Sequence, residues 1–509
     1  MRRGLALLLL LCLLPLNGLA EAFPQGAGYQ IFTPSYYDAD GDGLGDLQGI
    51  ILKMPYLDSL SIGALWLTPF FPSPSYHHYD VADYRAVDPA LGTLDDFKAL
   101  AKACEAKGIM LIVDLVINHS SSQHPWFLSA LNSLPLDPCG QEECADPRRC
   151  RAHNPYVAYY HFSREAGQHP APGAEGWYYQ SSFGCHMPDF NLENPALREE
   201  LLGIASFWLE MGADGFRLDA VTHFYEENTA KNTAFLRWFS DGVKGIQPEA
   251  YLIAEAWKGQ GTILALYESG VASFFNFPFA GADGAIVQAM RDQDGATLAI
   301  KAAAWQNSIL ALNPDAMDAP FLSNHDMGRS AGFLRMDPQK MKQAAALCLM
   351  LPGFPFVYYG EEIGMTGSGR DENKRLPMLW SRSVSAGMPN PPWDFDQAQR
   401  LKDAADTQEG DPGSLLNFYR HILALRREHP ALQRGTIQAV DLGHKALMAY
   451  RARRDDSSAL VIQNLSGESL KVPVTWPEAR FSPWDTGQGL PEIHDNALTL
   501  PPFSGCVWY

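Results

Sequence analysis

The chain has 509 residues, 46% of them apolar and including 12 Trp and 26 Phe, which is enough to fill a large core and excludes a disordered protein. Its formal net charge is −19 at pH 7, so its surface repels nucleic acid and anionic membranes, and a neutral or cationic partner is expected.

The first element is an export signal. Arg2 and Arg3 precede the apolar run Leu5 to Leu16, and Gly18-Leu19-Ala20 offers small residues for cleavage, so residues 1–20 read as a signal peptide and the mature protein is expected in the periplasm or outside the cell. The run is short for a membrane span and no later segment is long and apolar enough to be one, so no membrane contact is expected beyond the signal. Cys12 has no small residue before it, which argues against lipid attachment.

Eight short apolar runs follow: "GYQIFTP" at 28, "IGALWLTPF" at 62, "GIMLIVDLVINH" at 108, "ADGFRLDA" at 213, "YLIAEAW" at 251, "ASFFNFPF" at 272, "APFLSNHD" at 319 and "FPFVYYGEE" at 354. Amphipathic stretches such as "TLDDFKALAKACEAKG" and "NPALREELLGIASFWLEMG" lie between them, in the strand–helix alternation of a parallel sheet. Eight such units predict an α/β fold, a (β/α)8 TIM barrel over residues 21–119 and 188–431. The gap after the third run is longer than one helix needs, and residues 120–187 read as an inserted subdomain rich in Pro, Tyr and Ser. After the helical "SLLNFYRHILALRREHP" the pattern turns to alternation, as in "ALMAYRAR" and "SALVIQNL", which predicts a C-terminal all-β sandwich over 432–509.

Cys139, Cys144, Cys150 and Cys185 cluster in the insert. In an oxidising compartment they can make two disulfides by any of three pairings. Their spacings do not match the paired C-x2-C pattern of structural zinc sites, so zinc is not expected there.

In a barrel of this kind the site is built at one rim, from strand ends. Asp114 and His119 are expected to end the third strand, Arg217 and Asp219 the fourth, Glu255 the fifth, and His325 and Asp326 the seventh. Any one of these could be a cap or an ion pair; their recurrence at successive strand ends points to function. Residues two apart on a strand share a face, so Arg217 and Asp219 both point into the mouth of the barrel. The arginine is expected to hold Asp219 ionised as a nucleophile. Glu255, flanked by Ala254, Ala256 and Trp257, is expected to be desolvated and to act as a proton donor. Two carboxyls on neighbouring strands suit a retaining glycosidic displacement.

"DADGDGLGD" at 38–46 spaces acidic residues at alternate positions. Asp38, Asp40, Asp42, the Leu44 carbonyl and Asp46 could wrap one Ca²⁺, although Gly49 stands where an EF-hand needs Glu, so the loop is not an EF-hand.

The segments "DLVINH", "GFRLDAVTH", "IAEAW" and "FLSNHD", in this order and spacing, resemble the four signature regions of the α-amylase family, glycoside hydrolase family 13. The resemblance runs from Tyr29 through the β-rich end. It implies Asp219 as nucleophile, Glu255 as general acid/base and Asp326 as the carboxylate that binds sugar hydroxyls and distorts the ring, with Arg217, His119 and His325 lining the same subsite. "SYHHYDVADY" is similar to the family segment after the second strand, which implies that Tyr79 stacks on the sugar and His77 contacts its hydroxymethyl group. The acidic loop is similar to a family loop that binds structural calcium.

"MPDFN" at 187–191 and Ala220 after the nucleophile resemble relatives that cleave α-1,4 bonds, whereas Asp80 and Arg375 resemble a clamp on the non-reducing end in exo-acting α-glucosidases. The whole is most similar to the secreted bacterial α-amylases intermediate between the oligo-1,6-glucosidase and neopullulanase groups. The implied substrate is an α-glucan or maltooligosaccharide, acted on by a monomer. An exo-acting α-glucosidase or a transglycosylase is the alternative. An inactive binding homologue, the alternative of another class, usually lacks one of the three carboxylates present here.

Overall fold

Eight parallel strands form the centre of the molecule: β1 (Gly28–Ile31), β2 (Ala64–Leu67), β3 (Met110–Leu115), β4 (Gly215–Leu218), β5 (Tyr251–Ala254), β6 (Ser273–Phe275), β7 (Met317–Ala319) and β8 (Phe356–Tyr358). The structure, a computed structural model, describes residues 24–140, 144–166, 168–473 and 480–509; the expected signal peptide, Cys12 included, lies outside them. The strands pair in the order β7-β6-β5-β4-β3-β2-β1-β8. The ring closes where Phe321 bridges Phe356 in parallel and the Phe356 N–H donates to the Pro320 carbonyl at 2.8 Å. This is a (β/α)8 barrel.

The period of two along each strand sorts its side chains. Trp66, Ile112, Tyr251, Ile253, Phe275 and Phe356 share one apolar cluster inside the ring, while Leu65, Leu111, Val113, Phe216 and Leu252 belong to the larger cluster packed under the helices. On the inward face Ile112 is followed by Asp114, which stands in register with Arg217 on β4. The barrel is therefore apolar in its lower layers and polar at the layer that opens on the mouth.

The surrounding helices begin where the sequence supplies caps. Leu94–Glu105 starts on a reciprocal Thr93–Asp96 capping box, Pro195–Glu210 on Asn194 with proline at its first position, and Leu415–Arg427 on Ser414. The fully buried Arg426 on the last of these donates to the carbonyls of Gly26, Leu349 and Leu351, fastening the helix under the barrel.

Between β3 and β4 the chain makes the helix Pro125–Ser133, several short turns and a small antiparallel sheet of Phe162–Ser163, Tyr178–Tyr179 and His169–Pro170. Phe127 packs against Tyr160, Phe162 and Tyr179, which gives this insert its own aromatic centre. An antiparallel bridge between His119 and Asp189 joins its two ends at the barrel rim. Among the described residues no disulfide joins Cys144, Cys150 or Cys185, so the two expected disulfides are not seen; Cys139, Cys144 and Cys150 converge with His153, and Cys185 stands outside that group.

Beyond the helical turn Ala431–Arg434 come two antiparallel sheets. One is ordered Thr436–Ala439, Leu447–Arg454, Ser457–Asn464, Gly505–Trp508, Phe481–Trp484, the other Leu470–Pro473, Ala497–Leu500, Glu492–His494. Leu447, Ala449, Leu460 and Ile462 of the first pack on Val472, Leu498 and Leu500 of the second. Among the described residues no helix is long and apolar enough to cross a membrane.

Candidate functional site

The polar residues at the barrel mouth come from different heights. Asp114 and Arg217 lie within β3 and β4, and Asp219 and Glu255 are the first residues beyond β4 and β5. His119 stands beyond the end of β3. His325 and Asp326 do not end β7, as expected, because that strand stops at Ala319. Phe321 still bridges β8, and the Asn324 side chain then accepts the Asp326 N–H at 3.0 Å, a turn that carries both residues back over the mouth.

Arg217 joins the carboxylates. Fully buried, its Nη1 donates to Asp114 Oδ1 at 2.8 Å and to Asp219 Oδ1 at 2.6 Å, while Nη2 ion-pairs with Glu255 Oε2 at 2.9 Å. Glu255 also accepts the Ala220 N–H at 3.1 Å, a direction set by the left-handed backbone of Ala220 (φ 47°). Burial nevertheless pushes the Glu255 carboxyl up to about 8, against the pull of Arg217 and with the help of the Asp219 and Asp326 charges. Burial likewise raises Asp114 to about 7, with Arg217 opposing and Asp219 adding to the rise.

A second network holds the aromatic wall. Gln30 Nε2 donates to His325 Nδ1 at 2.6 Å, so the proton of the neutral ring sits on Nε2, which meets the Tyr79 hydroxyl at 2.6 Å and Asp326 Oδ2 at 3.1 Å. Tyr79 passes its own proton to Asp114 Oδ2 at 2.9 Å, and its ring lies parallel to His325 with centroids 5.3 Å apart. Burial keeps the three histidines neutral: His325 is lowered to about 3, His77 to about 4, and His119 is also lowered. The Tyr79 N–H donates to His77 Nδ1 at 3.1 Å, which leaves Nε2 of that ring as a donor.

Asp326 is the opposite case to Glu255. Burial would raise it, but His325 beside it and the guanidiniums of Arg375 and Arg217 prevail and hold it at about 2. Because His325 is itself neutral above about 3, the Arg375 ion pair at 2.7 Å is the main support of this carboxylate at neutral pH. Arg375 is fixed in turn by the Tyr76 hydroxyl at 2.8 Å and the His325 carbonyl at 3.1 Å.

Asp219, Glu255, Asp326, Tyr79, His77, His119 and Arg375 open onto one cavity of about 320 Å³, whose far wall is Phe183, Met187, His223 and Trp257. Asp114, Arg217 and His325 stand behind that surface and position it. Asp80 is apart from both groups. It is buried, accepts from Ser73 Oγ at 2.7 Å and from Ser75, and lies 3.9 Å from His77 Nδ1, whereas Arg375 pairs with Asp326 and Asp371. Trp257 is 52% exposed and stacks on Phe277, so it forms a wall and does not bury Glu255; that burial comes from the barrel itself.

Gln30, Tyr76, Phe183, Thr222, His223 and Asp371 belong to the site or its support and were not singled out from the sequence. Gln30 had a usable signal, a polar residue on the inward face of the apolar run "GYQIF". Phe183 had none, because it reaches the cavity only through the path of the insert.

Away from the mouth, the loop after β1 gathers Asp38, Asp40 and Asp42, whose carboxylates approach within 4.8 Å of one another. Backbone amides fold the loop inward: Gly41 and Gly43 donate to Asp38, Asp42 to Asp40 and Leu44 to Asp42. Asp46 is outside this trio. Its two oxygens accept the Gly49 and Ala39 N–H groups at 2.7 and 2.8 Å, which makes it the N-cap of Leu47–Leu52. The donor set, three hard carboxylate oxygens, fits a calcium ion.

The sequence matches the pattern described as "Alpha amylase, catalytic domain" over residues 30–435. It is 37% identical over 447 residues to "Alpha-amylase 3" of Dictyoglomus thermophilum, covering 86% of this chain and 84% of that one. It is 29% identical to a "Probable alpha-glucosidase" of Rhizobium meliloti, covering 93% of this chain and 94% of that one. The structure superposes on that of Eubacterium rectale Amy13B with a TM-score of 0.89 at 37% identity, over 96% of each chain.

Proposed function

The chain belongs to the α-amylase family of glycoside hydrolases, and from that premise we propose that it hydrolyses internal α-1,4 bonds of starch and maltodextrins with retention of configuration. The observation that carries this reading is the shared anchoring of Asp219 and Glu255 on adjacent nitrogens of Arg217, at 2.6 and 2.9 Å. Retaining double displacement asks for carboxyls about 5 to 5.5 Å apart, and two carboxylates held by one guanidinium meet on that scale.

In this reading Asp219 attacks the anomeric carbon while Glu255, protonated at neutral pH, gives its proton to the departing glycosidic oxygen. Glu255 then takes a proton from the water that breaks the glycosyl–Asp219 ester. Asp326, kept ionised by Arg375, accepts hydrogen bonds from sugar hydroxyls, and the neutral Nε2–H of His77 and the ring of Tyr79 receive the sugar's hydroxymethyl end and face. Arg217 stabilises the charge that develops on the carboxylates and needs no reorientation to do so.

Endo action rests on Asp80. Turned onto Ser73 and Ser75, it is not paired with Arg375, whose partners are Asp326 and Asp371, so the Asp80–Arg375 clamp on a terminal sugar is not preformed. The exo-acting α-glucosidase reading draws on the fact that Arg375 itself lines the cavity. Asp38, Asp40 and Asp42 would hold a structural Ca²⁺, with the Leu44 carbonyl completing the loop around it, while Asp46 is taken up in capping Leu47–Leu52. The charged, signal-bearing chain would work as an exported monomer. Sizing the products from starch and from maltose over time tests the reading: longer oligosaccharides appear before glucose if the attack is internal, and glucose alone appears from the start if it is terminal.

A further inference from the structure

We propose that Cys139, Cys144, Cys150 and His153 form a tetrahedral Cys3His site for one structural Zn²⁺ in the insert between β3 and β4. Their ligand atoms all lie within 4.8 Å of one another, and His153 Nδ1 stands 3.2 Å from Cys150 Sγ and 3.5 Å from Cys139 Sγ. A zinc ion with bonds of about 2.3 Å to sulfur and about 2.0 Å to nitrogen puts its ligands about 3.5 to 3.8 Å apart, so the set closes on an ion by small side-chain rotations. Three thiolates and an imidazole are soft and borderline donors. They select zinc over calcium, which the carboxylates of the loop after β1 would prefer.

The spacing C-x4-C-x5-C-x2-H contains the Cys150–His153 pair at the short interval of a metal knuckle, a pair invisible when only cysteines are counted. The backbone around it is preset. Asn154, 3% exposed, donates to the Ser129 carbonyl, Ser133 Oγ and the Arg148 carbonyl, and the Cys150 carbonyl accepts the His153 and Asn154 N–H groups at 3.0 and 2.8 Å. Cys150 is buried in this frame, whereas residues 135–140 and 145–149 are exposed throughout. A loop with so little apolar burial needs a cross-link to hold one conformation. Two of the three clustered cysteines could supply a disulfide instead, but that would strand the third and His153, and Cys185 is outside the group.

The test is elemental analysis of the full chain purified at neutral pH without chelator, with thiol alkylation of the same sample. One zinc per chain is expected, with Cys139, Cys144 and Cys150 resistant to alkylation until zinc is extracted. The exposed-side variants Cys144→Ser and His153→Ala should each lose the zinc and melt at a lower temperature, while calcium content stays as in the parent. A zinc-free parent chain, or one whose intact mass and linked peptides show a disulfide among the three cysteines, overturns the site whether or not the variants fold.

Discussion

Arg217 Nη2 stands 2.9 Å from Glu255 Oε2, yet the Glu255 carboxyl holds its proton up to about pH 8. Burial and the charges of Asp219 and Asp326 outweigh the one guanidinium, which is already shared with Asp114 and Asp219. The same arginine thus fixes the geometry of two carboxylates without making them alike.

The pH profile should report this. The acid must be protonated to donate, so kcat/KM on a maltooligosaccharide falls as pH rises through about 8, and Glu255→Gln, whatever activity remains, lacks that limb. A basic limb retained in the variant would assign it to another group.

Stability carries the same signature with a worked sign. Glu255 titrates at about 8 in the folded chain and near 4.3 when unfolded, so the folded state binds this proton more tightly. Its contribution is complete below about pH 4.3 and is lost as pH rises to about 8. Glu255→Gln removes that loss, so melting scans should show the variant gaining on the parent between pH 5 and 8. A variant that falls further behind over this range contradicts the burial argument.

Replacing Asp219 with Asn, or Glu255 with Gln, should leave the fold intact by circular dichroism and lower kcat at least about a thousandfold, because attack and protonation are separately lost. Activity near that of the parent in either variant contradicts their roles.

Asp80 and Arg375 should separate. Arg375→Ala removes the ion pair to Asp326 at 2.7 Å and should weaken turnover on every chain length, whereas Asp80→Asn should change starch cleavage only a few fold. The readout is iodine staining against reducing ends: staining should collapse while few ends have formed. If Asp80→Asn instead converts a glucose-releasing enzyme into an internal cutter, the clamp reading is the better one.

Calcium should act through the loop after β1. Chelation is expected to lower the melting temperature, with part of the loss recovered on adding Ca²⁺ alone, and Asp38→Ala should melt low and gain nothing from added Ca²⁺. Equal melting curves with and without chelator contradict the site.

Much of this was legible because polar residues interrupt strands that otherwise alternate cleanly. Arg217 and Asp219 share a face by the period of two, and the structure places them 2.6 Å apart. His325 and Asp326 read as the end of β7 because "APFLSNHD" carries no glycine to mark where the strand stops; the turn at Asn324 that lifts them off the strand is a side-chain hydrogen bond, which polarity does not encode. Asp46 reads as a ligand by spacing, yet it caps the following helix, a competition between two uses of one carboxylate that only the backbone path decides. Cysteine spacing alone gives no metal pattern, and His153, three residues past Cys150, supplies the C-x2-H interval that regroups them.

The central claim is that Asp219 carries the sugar between the two displacements. A 5-fluoro-α-glucosyl fluoride slows the second step more than the first, so the intermediate accumulates and survives proteolysis at low pH. Peptide mass spectrometry should then find one fluoroglucosyl group per chain, on Asp219, and none on the Asp219→Asn variant. A label on another residue, or hydrolysis of the reagent to the β-anomer with the parent chain never labelled, would contradict it.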